Sequence, residues 1–398
     1  MFVIRQSKPR DVATLLKLAR MVYFINLPPN ESIIGEKIQH SLRCFVKAGG
    51  GHVDTPAESG GRPRVRRGVQ GLAHAHDSDL FMFTIEEVET DTDGRRVGEG
   101  AVVGTCQVRA HMGGPGNPNW SMKLSERKFF SPELGQGTTH TVAQLYGDES
   151  GPSEIGGLIL QPSHRGHKLR PGRLLSFVRF HFIGLHRGLF ADRVLAEMMA
   201  PVSSEGDNAF WDAFGRKFIP VRYAEADRFC QHNRAFIKDL LPKEEIYVTL
   251  LPLEIQNMVG AVSKETVPAR RLLESLGFRF RGFIDPFDAG PHLDAATDEI
   301  SLVKQTRRVE LGKPLAEDRC DQWGIVSVLN HEGEFRAVEG PCALSGPTLR
   351  TTAAMFEALR LEGAPMAGFT PLQPPGTDSG PKSSKGRSAG GRGKKVRA

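Results

Sequence analysis

The sequence predicts an α/β fold in the broad sense (α+β). It has a mixed central sheet flanked by helices, an extended second half and a small β-rich module at the C-terminal end. Two observations carry this. An apolar strand, a basic glycine-containing loop, an amphipathic helix and a second strand follow one another between Ile155 and Met199, which is the rhythm of an α/β unit. Beyond Glu310 the pattern changes to short strand-like runs, Gly324–Leu329 and Glu334–Val338, before a helix at Thr351–Leu361.

The elements follow in order. Phe2–Arg5 is a short apolar strand. Asp11 stands where it can cap a helix at Val12–Ala19, in which Val12, Leu15, Leu16 and Ala19 repeat at helical spacing. Pro28 and Pro29 break the next segment, and an amphipathic helix Ser32–Phe45 follows Asn30. Residues 48–78 are rich in Gly, Arg, His and Pro without a period, and read as a flexible insertion. Phe81–Glu86 and Val102–Arg109 are strands joined through a turn at Asp91–Gly94, and Gly113–Asn119 is loop. Ile155–Leu160 is a strand, Gly172–Arg187 a helix with Leu174, Leu175, Val178, Phe182 and Leu185 on one face, and Arg193–Met199 a strand. Further on, Asn208–Phe214, Leu253–Val259 and Pro268–Leu276 read as helices, and Lys217–Arg222 and Arg279–Ile284 as strands. The expected units are residues 1–225, then 226–310 completing a cleft, a module at 311–371 and a tail at 372–398.

Composition narrows the function class. No apolar run reaches the ~18 residues of a membrane span, and the N-terminus MFVIRQSKPRD lacks the apolar core of a signal peptide. The cytoplasm is the expected compartment. Cys44, Cys106, Cys230, Cys320 and Cys342 are scattered and unpaired in pattern, which argues against a disulfide framework or a cysteine-rich zinc site. The net charge of +6 belongs to the tail: from Gln373 onward there are seven bases (Lys382, Lys385, Arg387, Arg392, Lys394, Lys395, Arg397) against one acid, Asp378. The body is therefore neutral. The tail is Gly-, Ser- and Pro-rich and expected to be disordered; weak contact with a polyanion is the most it offers to nucleic acid.

The loop Gln161-Pro-Ser-His-Arg165-Gly-His-Lys-Leu-Arg170-Pro-Gly-Arg173 is the most informative local feature. A strand, a glycine-containing loop and a helix N-terminus together hold phosphate, because the first helical N–H groups are unpaired and the helix dipole favours an anion. Arg165, Gly166, Arg170, Gly172 and Arg173 are the candidate contacts, with Lys168 adding charge; a solvated basic loop is the alternative.

Four stretches together resemble the arginine N-succinyltransferase family, whose members have the GNAT fold of acyl-coenzyme A N-acyltransferases. They are Asn26-Leu-Pro-Pro-Asn30-Glu31; the loop above running on into Leu174-Leu-Ser-Phe-Val-Arg-Phe-His-Phe; Val194-Leu-Ala-Glu197-Met with Phe210-Trp211-Asp-Ala-Phe-Gly215-Arg-Lys-Phe218; and Ala235-Phe-Ile-Lys-Asp-Leu-Leu-Pro242-Lys, Pro268-Ala-Arg through Gly277-Phe, and Ile284-Asp285-Pro-Phe-Asp288-Ala-Gly290-Pro. They span residues 1–310 with interruptions.

The resemblance implies transfer of a succinyl group from succinyl-CoA, as co-substrate, to the α-amine of arginine, with no covalent intermediate, no metal and no resident cofactor. It implies that Leu158 contacts succinyl-CoA and that the proton donor sits at position 263, where this chain has Ser263 in place of the family's histidine. A hydroxyl does not titrate near neutrality as imidazole does. Arg170 stands where the family has glycine, in a longer loop. His164, His167, His181, His186, His140 and His232 are the other histidines weighed for the proton step. Glu197, and more weakly Glu31, Asp285 and Asp288, are candidates for the cationic substrate. Two rival readings stay open: an acyltransferase for another amine or acyl group, and a catalytically silent homologue that pairs with an active subunit, since the family includes paired subunits. A homo- or hetero-oligomer fits either.

Overall fold

A computed structural model describes residues 1–21, 27–51, 78–90, 96–203, 206–230, 234–360 and 366–375. Asn26, His232, most of the 48–78 insertion, the Asp91–Gly94 turn and most of the tail lie outside them. The described strands form one mixed sheet of fifteen, in the order β12-β15-β11-β14-β13-β1-β2-β3-β6-β7-β10-β9-β4-β5-β8. Here β1 is Phe2–Gln6, β2 Leu80–Thr90, β3 Arg96–Arg109, β4 Asn119–Ser131, β5 Gln136–Asp148, β6 Ser153–Leu160, β7 Arg193–Glu197 and β8 Ile246–Tyr247. The remainder are β9 Arg279–Ile284, β10 Pro291–Ala296, β11 Arg307–Leu311, β12 Gln322–Leu329, β13 Phe335–Ser345, β14 Thr348–Thr351 and β15 Met366–Leu372. Only β6–β7 and β11–β14 pair parallel. The C-terminal strands join the sheet through β1–β13.

Helices cover both faces. On one, α1 (Val12–Ala19) and α2 (Glu31–Ala48) bury Leu15, Leu18, Ile34 and Ile38 against Leu80, Met82 and Ile159. On the other, α3 (Pro171–Leu185) buries Leu174, Leu175, Val178 and Phe182 against Phe81, Phe83, Cys106 and Val108. Asn30 caps α2 by accepting from the Ile33 N–H at 3.1 Å, as a residue before an amphipathic run does. Asp11 does not cap α1. Its carboxylate accepts from the Lys8 N–H and from both ends of the buried Arg5 guanidinium at 2.7 and 2.8 Å, a stronger, charge-assisted pairing. A smaller core gathers the second half: α4 (Ala209–Ala213), α5 (Tyr223–Cys230), α6 (Ala235–Leu240) and α7 (Leu253–Gln256) around Trp211, Ile237 and Phe287. Helix α8 (Val267–Ser275) returns to the α3 face through Leu273.

One further expectation changes. The Lys217–Arg222 strand is instead a 3-10 turn at Gly215–Lys217 followed by irregular chain. Pro220 removes a ladder donor there, and the Val221 carbonyl accepts from Trp211 Nε1. The long β4–β5 hairpin, paired over its whole length, has no counterpart in the sequence reading.

Candidate active site

The site forms where β6 and β7 part. The two strands pair only at Ser153–Val194 and Glu154–Leu195; past Glu154, no β7 partner follows β6 among the described residues. The inner edge of β6 therefore offers unpaired backbone groups to a ligand. On its other side β6 carries a bulge, because Thr105 pairs with Ile159 and Gln107 with Gly156, which leaves Gly157 and Leu158 opposite the single Cys106. Gly157 takes the left-handed φ of +57° that this bulge requires. Leu158 is half-buried against the α3-side core, so its side chain packs while its backbone borders the opening.

Strand alternation sets what faces the opening on the α1/α2 side. Gln107 and Arg109 of β3, Glu154 of β6, Glu197 of β7 and His292 and Asp294 of β10 share that face, since Arg109 pairs with Glu154, Glu154 with Leu195, and Glu197 with His292. Extending the parallel register brings Gly156 level with Glu197, so Gln107, Gly156, Glu197 and His292 form one row across the opening. Gln107 is buried, and neither its amide oxygen nor its nitrogen has a hydrogen-bond partner.

Glu197 accepts from Asn119 Nδ2 at 3.0 Å, and Asn119 in turn accepts from Arg234 at 2.8 Å. Burial works to raise the Glu197 pKa, but His292, Arg234 and the Asn119 hydrogen bond outweigh it and hold the carboxyl below its usual value. Asp285 lies beside it. Burial, then the neighbouring Asp288 and Glu197 charges, push the Asp285 carboxyl up to about 7. Its Oδ1 accepts from the Phe287 and Asp288 N–H groups. Burial pushes Asp288 up to about 6, against two backbone donors, Gly290 and Ala200. Asp227, also raised to about 6 by burial, adds its charge to the field at Asp288. The pocket is thus acidic, with Arg234 as its buried counter-charge. Ligating atoms of Glu197, Asp285 and His292 lie within 4.8 Å of one another, the one such gathering among the described residues.

A second, cationic group adjoins it. Arg109 Nε stands 3.8 Å from Glu154 Oε2, and Arg109 and Glu154 both act on Lys37 of α2. Burial, then Arg109, lowers the Lys37 pKa to about 7, partly offset by Glu154. Arg234 feels both Glu154 and Glu197. Arg109, Arg234 and the partly protonated Lys37 share this corner with Glu154.

The basic loop takes the expected place between β6 and α3. Gly166 has φ +77° and Arg170, the residue before Pro171, has φ +47°. The first turn of α3 has no side-chain cap; Pro171 has no N–H and the Arg173 and Leu174 N–H groups bond the Arg170 carbonyl, which leaves the Gly172 N–H for an anion. Gly172 lies against β6, where a Cβ would meet Leu160 at 3.4 Å. Arg165, Lys168 and Arg170 are exposed around this end. Arg173 turns away, pairing with Glu339 and donating to the Gln373 carbonyl at 3.1 Å. Glu31 stands exposed in the first turn of α2.

Most of the weighed histidines serve the fold. His164 bonds Glu87 at 2.9 Å and His167 packs edge-on against Phe2. His181 sits between Thr370 and Ser327 at 2.6 Å each, and burial lowers its pKa to about 3. His186 stacks on Phe182 and is lowered to about 4, again chiefly by burial. His140 bonds Thr249 and Thr138. Ser263 is buried; its N–H donates to the Met199 carbonyl, just past β7, and its hydroxyl bonds Thr266 at 2.7 Å at the start of α8. His292, Gln107, Arg109 and Lys37 were not among the sequence candidates. Each gains its place from strand register or helix docking rather than from a local motif. A separate cavity of about 480 Å³ opens at the C-terminal end of α3, away from the loop, lined by His186, Arg308 and Arg336 among others.

Comparison with known proteins identifies the family. A family model described as arginine N-succinyltransferase beta subunit matches residues 62–302, more than half of the chain. An arginine N-succinyltransferase of Escherichia coli (strain SE11) is 30% identical over 367 residues, covering 90% of this chain and 94% of that protein. One from Shigella dysenteriae serotype 1 (strain Sd197) is 31% identical with the same coverage. Among solved structures, arginine/ornithine succinyltransferase subunit AI from Pseudomonas aeruginosa superposes with a TM-score of 0.71 at 23% identity, over 93% of this chain and 98% of that one. This last likeness supports the mixed-sheet fold.

Proposed function

Because the chain belongs to the arginine N-succinyltransferase family, we propose that it transfers a succinyl group from succinyl-CoA to the α-amine of arginine. The observation that carries the reading is the pairing of two oppositely charged corners at one strand opening. The acidic corner of Glu197, Asp285 and Asp288 suits the guanidinium and ammonium of arginine. The cationic corner of Lys37, Arg109 and Arg234 suits the free carboxylate of a succinyl group, which acetyl lacks.

The parts then act as follows. The α3 N-terminus and the loop with Gly166, Gly172, Arg165 and Arg170 receive the coenzyme's pyrophosphate. The bulged edge at Gly157–Leu158 aligns the thioester beside β6. Gln107, whose amide is buried without a partner, offers an N–H to the oxyanion that forms as the amine attacks. Attack is direct.

We further propose an oligomer. The matching family is that of a beta subunit, and the Pseudomonas protein is itself described as a subunit. The β4–β5 tip exposes Phe129, Phe130 and Leu134, an apolar surface of the kind that subunits cover. A reducing, cytoplasmic compartment suits the five free cysteines.

Titration calorimetry with succinyl-CoA, acetyl-CoA and free CoA tests the reading. Succinyl-CoA should bind at least tenfold more tightly than acetyl-CoA, and Arg109→Met should abolish that preference. Equal affinities in the wild type would remove the role given to the cationic corner; no binding of any of the three would remove the enzyme reading. A panel of arginine, ornithine, lysine and polyamines, read by thiol release, separates arginine from other amines.

A further inference from the structure

Position 263 offers no proton carrier in this chain: a serine does not titrate near neutrality, and the Ser263 hydroxyl is engaged by Thr266. One other group lies at the right place. His292 of β10 is 5% exposed, and its Nε2 is buried with no hydrogen-bond partner. A buried ring nitrogen without a partner is costly and rarely left so without a use. That nitrogen lies 4.0 Å from Glu197 Oε1, within the group that includes Asp285. The ring shares the sheet face of Gln107 and stands level with it across the β6–β7 opening. Ser263 and His292 also flank the same stretch of chain. The Ser263 N–H bonds the Met199 carbonyl, and the Met198 N–H bonds the carbonyl of Pro291, beside His292.

We propose that His292 carries the proton of the acyl-transfer step, taking over the part that position 263 has in the family. This rests on the reading of the site as an N-succinyltransferase. His292 accepts at Nε2 one proton from the incoming ammonium, which Glu197 and Asp285 hold beside the ring. The freed lone pair attacks the thioester carbon. The C–N bond forms, the C–S bond breaks, and its electron pair leaves on sulfur. The imidazolium gives its proton to that thiolate, and the extra proton on the new amide nitrogen passes to solvent. Glu197 on β7 and Asp285 in the β9–β10 turn lie against His292, while Asp288 in that turn, Asp227 and Cys230 on α5, and Arg234 before α6 act on those two carboxyls or their neighbours. Glu197 and Asp285 thus lie beside the ring that carries the proton.

The test uses the full-length protein and the variants His292→Gln and His292→Ala, with succinyl-CoA and arginine. Both variants should melt within a few degrees of wild type and bind succinyl-CoA within about threefold. The kcat of His292→Gln should fall about 10²–10⁴-fold, the usual contribution of a positioned acid–base group. Added imidazole should return at least tenfold of the loss in His292→Ala, and Ser263→His should restore turnover to His292→Gln. A folded His292→Gln enzyme with kcat within tenfold of wild type overturns the proposal. So does a loss that neither imidazole nor Ser263→His repairs, because the ring would then be structural. An inactive wild type would instead defeat the succinyltransferase reading.

Discussion

Asp285 is a residue whose charge state depends strongly on its surroundings. With its folded pKa raised to about 7, well above the ordinary value of an unfolded aspartate, the native state holds a proton that the unfolded chain has already lost. Its stability cost therefore grows as pH rises from about 4 to about 7 and is constant above that. Asp285→Asn keeps the acceptor for the Phe287 and Asp288 N–H groups and removes the cost. Chemical denaturation should show the variant more stable at pH 8 by more than about 1 kcal/mol, since one pKa unit is about 1.4 kcal/mol. Little gain should appear at pH 4.5. An equal gain at both pH values would mean that Asp285 does not titrate as described. Glu197 was legible in the sequence because it ends an apolar strand beside a family motif. His292 and Gln107 were not: nothing within a few residues of either marks a site. Their meaning comes from registers that join β3, β6, β7 and β10, strands far apart in sequence.

At the scale of elements, the strand–loop–helix–strand unit from β6 to β7 was legible because apolar period and glycine punctuation agree there. Within it, Arg170 adopts the left-handed conformation that glycine fills without strain. Arg170→Val should cost about 1–2 kcal/mol in urea denaturation, because a β-branched side chain tolerates that region worst. Arg170→Gly should leave stability within about 1 kcal/mol, as relief of strain offsets the freer unfolded chain. A harmless valine would contradict the assigned backbone. The β1–α1 junction depends on Arg5, buried between Asp11 and Glu86 at 2.6–2.8 Å. Asp11→Ala strands part of that charge and should cost about 3–5 kcal/mol, read as a fall in denaturation midpoint. The β4–β5 hairpin escaped the sequence reading for a physical reason. Its outer halves are exposed on both faces, so no apolar alternation marks them as strand.

Taken whole, the molecule is a sheet with one polar opening near its middle, and both charged corners belong to that opening. The C-terminal strands lie beyond β1 at one end and the β4–β5 hairpin reaches out at the other. Phe130→Glu combined with Leu134→Glu should lower the mass seen by light scattering if the exposed tip is the subunit contact; an unchanged mass would place the contact elsewhere. Among the described residues no helix is long and apolar enough to cross a membrane. The basic tail supplies the whole net charge; if the two corners alone hold the ligand, deleting residues 376–398 should leave succinyl-CoA affinity unchanged. The most direct check of the central claim is mass analysis of the product formed from succinyl-CoA and arginine, with thiol release followed in the same sample. One N-succinylarginine per thiol, with acetyl-CoA at least tenfold slower, is the result expected. Thiol release without succinylarginine, or none although succinyl-CoA and arginine both bind, would contradict it.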